Sequence, residues 1–197
     1  SGSSRRKAGC GGIVVVIRSF NKPIKDSLNV TKLDHAFAEI ASETGDPDAD
    51  FSLPGWIYHD REFFDLEQER IFRPSWQIVC HVSEVAGPGD YRTLDYLGES
   101  VIVIRGDDGQ VRAFTNVCRH RAMRLVEGPS GCAKKLVCPY HAWVFESDGR
   151  LSGVPMKSEY PALKLEENGL VPVALEIWHG FVFVCLQPEG FPTPTEM

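Results

Sequence analysis

Cys118-Arg119-His120-Arg121 and Cys138-Pro139-Tyr140-His141-Ala142-Trp143 bracket a stretch with seventeen residues between His120 and Cys138. Each half offers one soft sulfur and one imidazole. In Cys118-x-His120 an extended or turned backbone presents residues i and i+2 on the same side. In Cys138-x-x-His141 the ring of Pro139 stiffens the loop. Two stiff loops facing each other can clamp a metal centre between them. Cys2His2 is a zinc ligand set. A zinc finger, however, runs Cys-Cys-His-His with a helix between the pairs, whereas here the order is Cys-His-Cys-His.

Outward from the motif the pattern is that of short strands. Residues 76–82, 91–97, 100–105 and 111–116 are rich in β-branched and aromatic side chains. Gly87-Pro88-Gly89-Asp90 and Asp107-Asp108-Gly109 separate them as turns. After the second half, 143–146 and 150–153 flank the hairpin signal Ser147-Asp148-Gly149, and 171–178 pairs with 181–186 across His179-Gly180. Both motif halves then fall in loops between strands. The expected fold is mainly β, an antiparallel sandwich or barrel over 75–190. A helical extension is expected over 31–74. Thr31 caps a first helix carrying Leu33, Phe37, Ile40 and Ala41, and Gly45-Asp46-Pro47 stops it. Asp60 caps a second helix through about Phe72, with Phe63, Phe64, Ile71 and Phe72 as its apolar face and Pro74 beyond its end. His59, without a nearby partner in sequence, reads as a surface or packing residue. Residues 1–30 read as a flexible leader and 191–197 as the start of a linker.

The 197 residues are 43% apolar with a net charge of -6, which argues against a nucleic-acid binder. No apolar run approaches the ~18 residues that would span a membrane. Of the six Cys, Cys80 and Cys185 lie in strand-like apolar surroundings and read as small buried hydrophobes. Cysteines this sparse do not form a disulfide scaffold, and a reducing cytoplasm is the expected compartment. Met123 is the first Met. The N-terminus is therefore expected to be incomplete, or to be a frame extended past the true start.

With its flanks, the motif reads Asn116-Val117-Cys118-Arg119-His120-Arg121 and Cys138-Pro139-Tyr140-His141-Ala142-Trp143. In this form it resembles the Rieske domain of aromatic-ring-hydroxylating (Rieske non-haem iron) oxygenase α subunits. The resemblance runs from about Leu53 to Pro188 and includes Gly89-Asp90-Tyr91, Ala113-Phe114-Thr115-Asn116 and Phe181-Val182-Phe183. It implies that Cys118, His120, Cys138 and His141 ligate a [2Fe–2S] cluster, with Arg119, Arg121, Tyr140 and Trp143 around it. Two ferric irons, two sulfides and two thiolates sum to zero with neutral imidazoles, so such a centre accepts an electron more easily than a four-thiolate one. Respiratory Rieske proteins add a Cys to each loop. Here those positions are Met123 and Tyr140, so no bridge forms, and a potential at the low end of the range, on the order of -150 mV, is expected.

The family usually carries Gly where this chain has Ala122 and Ala142, each a change of one methyl group. Trp143 is expected to pack under its own loop. Arg119, Arg121, Arg124, Lys134 and Lys135 stand near the cluster as a candidate surface for an acidic ferredoxin or flavin reductase. The resemblance also implies neighbouring α subunits, in a trimer. It further implies a mononuclear Fe(II) in a catalytic domain beyond Met197, since His35, His59, His81 and His179 form no close pair with a downstream carboxylate. A stand-alone Rieske ferredoxin is the alternative, although a carrier needs no helical extension over 31–74.

Overall fold

The computed structural model describes residues 55–189 and 192–196, which fall in one unit, Leu53–Met197. The leader and the helix expected from Thr31 lie outside the described residues. Those residues hold strands β1 (Gln77–His81), β2 (Asp90–Tyr96), β3 (Glu99–Arg105), β4 (Val111–Thr115) and β5 (Ser130–Cys132). They continue with β6 (Lys135–Val137), β7 (Val144–Glu146), β8 (Leu151–Gly153), β9 (Pro172–Trp178) and β10 (Phe181–Cys185). A seven-stranded sheet has the order β1-β10-β9-β4-β3-β2-β5, and a three-stranded sheet has the order β6-β7-β8. All pairings are antiparallel. The mainly β expectation holds. β5 and β6 were not anticipated: each is three residues long, too short to show a periodic pattern, and no hairpin signal like the Ser147-Asp148-Gly149 of the equally short β7 and β8 marks them.

β3 explains the shape. Its Val101, Ile102, Val103 and Ile104 are all buried, so it reads as a continuous apolar run rather than an alternating one. Ile102 and Ile104 face a core shared with Leu136, Phe145 and Leu151 of the small sheet. Val101 and Val103 face the other way, against Cys80, Val182 and Val184. These last three belong to the same seven-stranded sheet, which therefore curls around its own concave face as a half-barrel. Burying each such side chain contributes about 1.5–3 kcal/mol. Gly149, at φ +88°, shows how close the two sheets come: a Cβ there would lie 2.5 Å from the Phe114 ring.

Asp60 does cap the helix α1 (Arg61–Glu67), its Oδ1 accepting from the Phe63 N–H at 2.9 Å. The expected α-helix to Phe72 is corrected: at Gln68 the backbone widens into a π turn, Gln68–Phe72. The expected apolar face is not buried either; Phe64 is 42% and Ile71 52% exposed. The segment is held at its end instead. Arg73 bonds Glu99 at 2.6 Å, the Tyr96 hydroxyl donates to the Phe72 carbonyl, and the buried Cys185 thiol donates to the Pro74 carbonyl. Cys80 is buried as expected, which pushes its thiol up to about 11. His59 is exposed.

Candidate metal centre

Both motif halves form the same six-residue turn. In loop one the Cys118 N–H donates to the Met123 carbonyl at 2.7 Å and the Ala122 N–H to the Cys118 carbonyl at 3.0 Å. In loop two the Cys138 N–H donates to Trp143 at 2.8 Å and the Ala142 N–H to Cys138 at 3.0 Å. The residues outside each turn also pair, Val117 with Arg124 and Val137 with Val144. Closing so tight a turn requires a left-handed residue at the fourth position after the Cys. Ala122 has φ 55° and Ala142 φ 54°. The sequence reading treated these alanines as one added methyl each. The structure corrects this: both occupy backbone that glycine adopts freely and other L residues enter at a cost.

The turns are anchored differently. Loop one leaves β4 through Asn116, which is fully buried. Its side-chain N–H donates to the Val126 carbonyl at 2.8 Å and its Oδ1 accepts from the Val126 N–H at 3.0 Å. Loop two is the tip of the β6–β7 hairpin, rooted by the buried Leu136. Asn116 stood in the sequence only as a flanking residue. Its bracing role depends on Val126, ten residues on, and no local pattern shows it.

The four candidate donors come together with the sulfurs inside and the imidazoles at the rim. Cys118 and Cys138 are each 2% exposed, and a hydrogen bond joins the two side chains. Burial pushes the Cys118 thiol up, while the backbone N–H groups of His120 and Arg121 favour its thiolate and pull it down. The His120 and His141 rings are half-buried and meet edge to face, centroids 4.7 Å apart. Burial, then the charges of His141 and Arg121, hold His120 below its ordinary pKa. The Nδ1 atoms of both rings are buried without any hydrogen-bond partner. Two orphaned nitrogens above two paired thiols suit a cluster with two ligands per iron. Among the described residues no three His, Cys, Asp or Glu converge as a single ion would need.

Trp143 is buried in one core cluster with Leu136 and Cys138 of its own hairpin, and it also reaches the other loop. It stacks on His120 of the other loop, with centroids 4.9 Å apart and planes 5° apart. Tyr140 lies against its neighbour His141 and is 57% exposed. The five cations divide. Arg124 pairs with Asp95 at 2.5 Å and Lys135 with Glu146 at 2.8 Å. Arg119, Arg121 and Lys134 are exposed. Cys132 is exposed and away from the four donors' core.

Residues 75–171 match the Rieske [2Fe-2S] domain family. The carnitine monooxygenase oxygenase subunit of Escherichia coli (strain K12) is 38% identical over 144 residues. That match covers 73% of this chain, which spans only 38% of the relative's length. A solved quaternary ammonium Rieske monooxygenase superposes with TM-score 0.69 at 38% identity, covering 75% of this chain and 42% of its own. A naphthalene 1,2-dioxygenase variant bound to phenanthrene gives 0.65 at 42%, covering 69% and 31%. Residues 75–171 are therefore a Rieske [2Fe–2S] domain, and the relatives it matches are oxygenase subunits of Rieske mono- and dioxygenases.

Proposed function

We propose that this chain is the electron-transfer portion of an oxygenase α subunit. It would relay electrons from a ferredoxin or flavin reductase to a mononuclear iron that hydroxylates or demethylates an organic substrate with O2. The reading rests on one observation: two buried thiols in mutual contact beneath two buried, unpartnered imidazole nitrogens, presented by twin turns. Cys118, His120, Cys138 and His141 would hold the [2Fe–2S] cluster, which when bound supplies one-electron storage.

The protein's part is to exclude water and to fix the ligands. Cys118 and Cys138 belong to the buried core between the sheets, while the imidazoles of His120 and His141 are half-buried. The N–H groups of His120 and Arg121 are directed at the Cys118 sulfur and oppose the burial that raises its pKa. Arg119, Arg121 and Lys134 leave the rim cationic, which suits an acidic donor protein. Neighbouring α subunits in a trimer and a cytoplasmic setting complete the reading. Consistent with that, no described helix is long and apolar enough to cross a membrane, and a solved relative is described with inter-subunit electron transfer.

The test is a redox titration of the purified chain, followed by visible absorption and EPR. A red-brown protein with a Rieske spectrum and a midpoint near -150 mV is expected. A colourless zinc protein, or a midpoint above about +100 mV, would contradict it.

A further inference from the structure

We propose that Trp143 is a positioning residue for His120, reaching across from the opposite loop. The inference rests on the [2Fe–2S] reading above. The observations are specific to one pair. The indole is 6% exposed and lies almost parallel to the imidazole, at 5° and 4.9 Å. His120 has no hydrogen bond at its buried Nδ1, and rotation about its ring torsion is soft. Stacking on the indole is therefore the parallel contact that restrains the ring plane, beside the edge contact with His141.

The twin turns sharpen the case. Met123 and Trp143 are the equivalent residues five positions after the Cys, each accepting from the N–H of its own Cys. Both close their turn through the backbone, so turn closure does not itself require an indole. Only loop two places an aromatic at this position. His141 meets instead the exposed Tyr140, tilted by 32°. The two half-buried imidazoles thus have unlike ring neighbours, a buried indole from the opposite loop for His120 and the exposed adjacent Tyr140 for His141. The electron-rich face of the indole lies over a ring that would donate to the metal, and it favours the more positive, oxidised state.

The experiment compares wild type with Trp143→Phe and Trp143→Met, Met being the residue that loop one already carries at this place. Three readouts are taken on the cluster-loaded chain: bleaching rate under a chelator, EPR line shape and midpoint potential. Trp143→Met is expected to bleach on the order of fivefold faster, with an altered EPR line shape and a raised potential. Trp143→Phe is expected to stay within about twofold of wild type, because a ring still stacks. If Trp143→Met and Trp143→Phe behave alike, or if Trp143→Met keeps the wild-type line shape and potential, the positioning role is overturned. A wild-type chain with no Rieske spectrum overturns the parent reading, and this one with it.

Discussion

Loop one, 118–123, hangs between β4 of the seven-stranded sheet and an irregular return segment, whereas loop two, 138–143, is the tip of the β6–β7 hairpin. Their backbones close through the same two hydrogen bonds and the same left-handed alanine. Their footings differ two residues before the Cys, where loop one has buried Asn116 and loop two buried Leu136. The hairpin already satisfies the polar groups of loop two, so its foot is free to be apolar. The return segment of loop one lacks a ladder, and Asn116 supplies the missing donor and acceptor to Val126. Equal ligand geometry thus comes from unequal support.

If the loops are equal halves of one site, Cys118→Ser and Cys138→Ser should each abolish the visible absorbance of the purified chain. A variant of either kind that keeps its colour would break the equivalence. The footings should then separate the loops by mechanism. Leu136→Ala is expected to cost about 3 kcal/mol by opening a cavity between the sheets. Asn116→Ala is expected to cost about 2 kcal/mol by leaving Val126 unpaired. Denaturant unfolding of the two variants checks the order. Ala122→Gly and Ala142→Gly should each raise stability by about 0.5 kcal/mol. Relief of left-handed strain, about 1–2 kcal/mol, exceeds the entropy that glycine adds to the unfolded chain. A loss in one loop alone would show that its φ differs.

The smallest effect is on acid stability. Asp95, which holds Arg124 beside loop one, is kept below the usual carboxylate range first by a hydrogen bond with Ser100 and then by Arg124. Glu146, which holds Lys135 at the foot of loop two, is lowered first by Lys135 and then by Ser152. Both folded pKa values lie below the unfolded ones, so this stability is fully present above about pH 5 and fades as pH falls through the folded values. Asp95→Asn should flatten the acid limb of a stability–pH curve slightly, and an unchanged limb would show that the exposed pair contributes nothing.

Several features were legible because they are local. Strand periodicity placed eight of the strands to within a residue or so at each end. Asp60 was recognisable as a cap from its type and place. The four donors stood out because sulfur and imidazole at tight spacing suit little besides metal. β5 and β6 were hidden because they are short and, unlike the equally short β7 and β8, flank no hairpin signal. The π turn and the exposed Phe64 and Ile71 were hidden because periodicity states which side chains share a face and not what covers it.

The sequence by itself determined a mainly β chain with two Cys/His motifs between strands, since residue type, spacing and period are written along the chain, and the resemblance of their flanks implied the Rieske kind. The tertiary structure alone decided that Trp143 stacks on the other loop's histidine, that Asn116 braces Val126, and that two alanines stand in left-handed backbone. Each of these depends on which surfaces the curled sheet brings within a few ångströms of one another, and separation along the chain does not encode that distance.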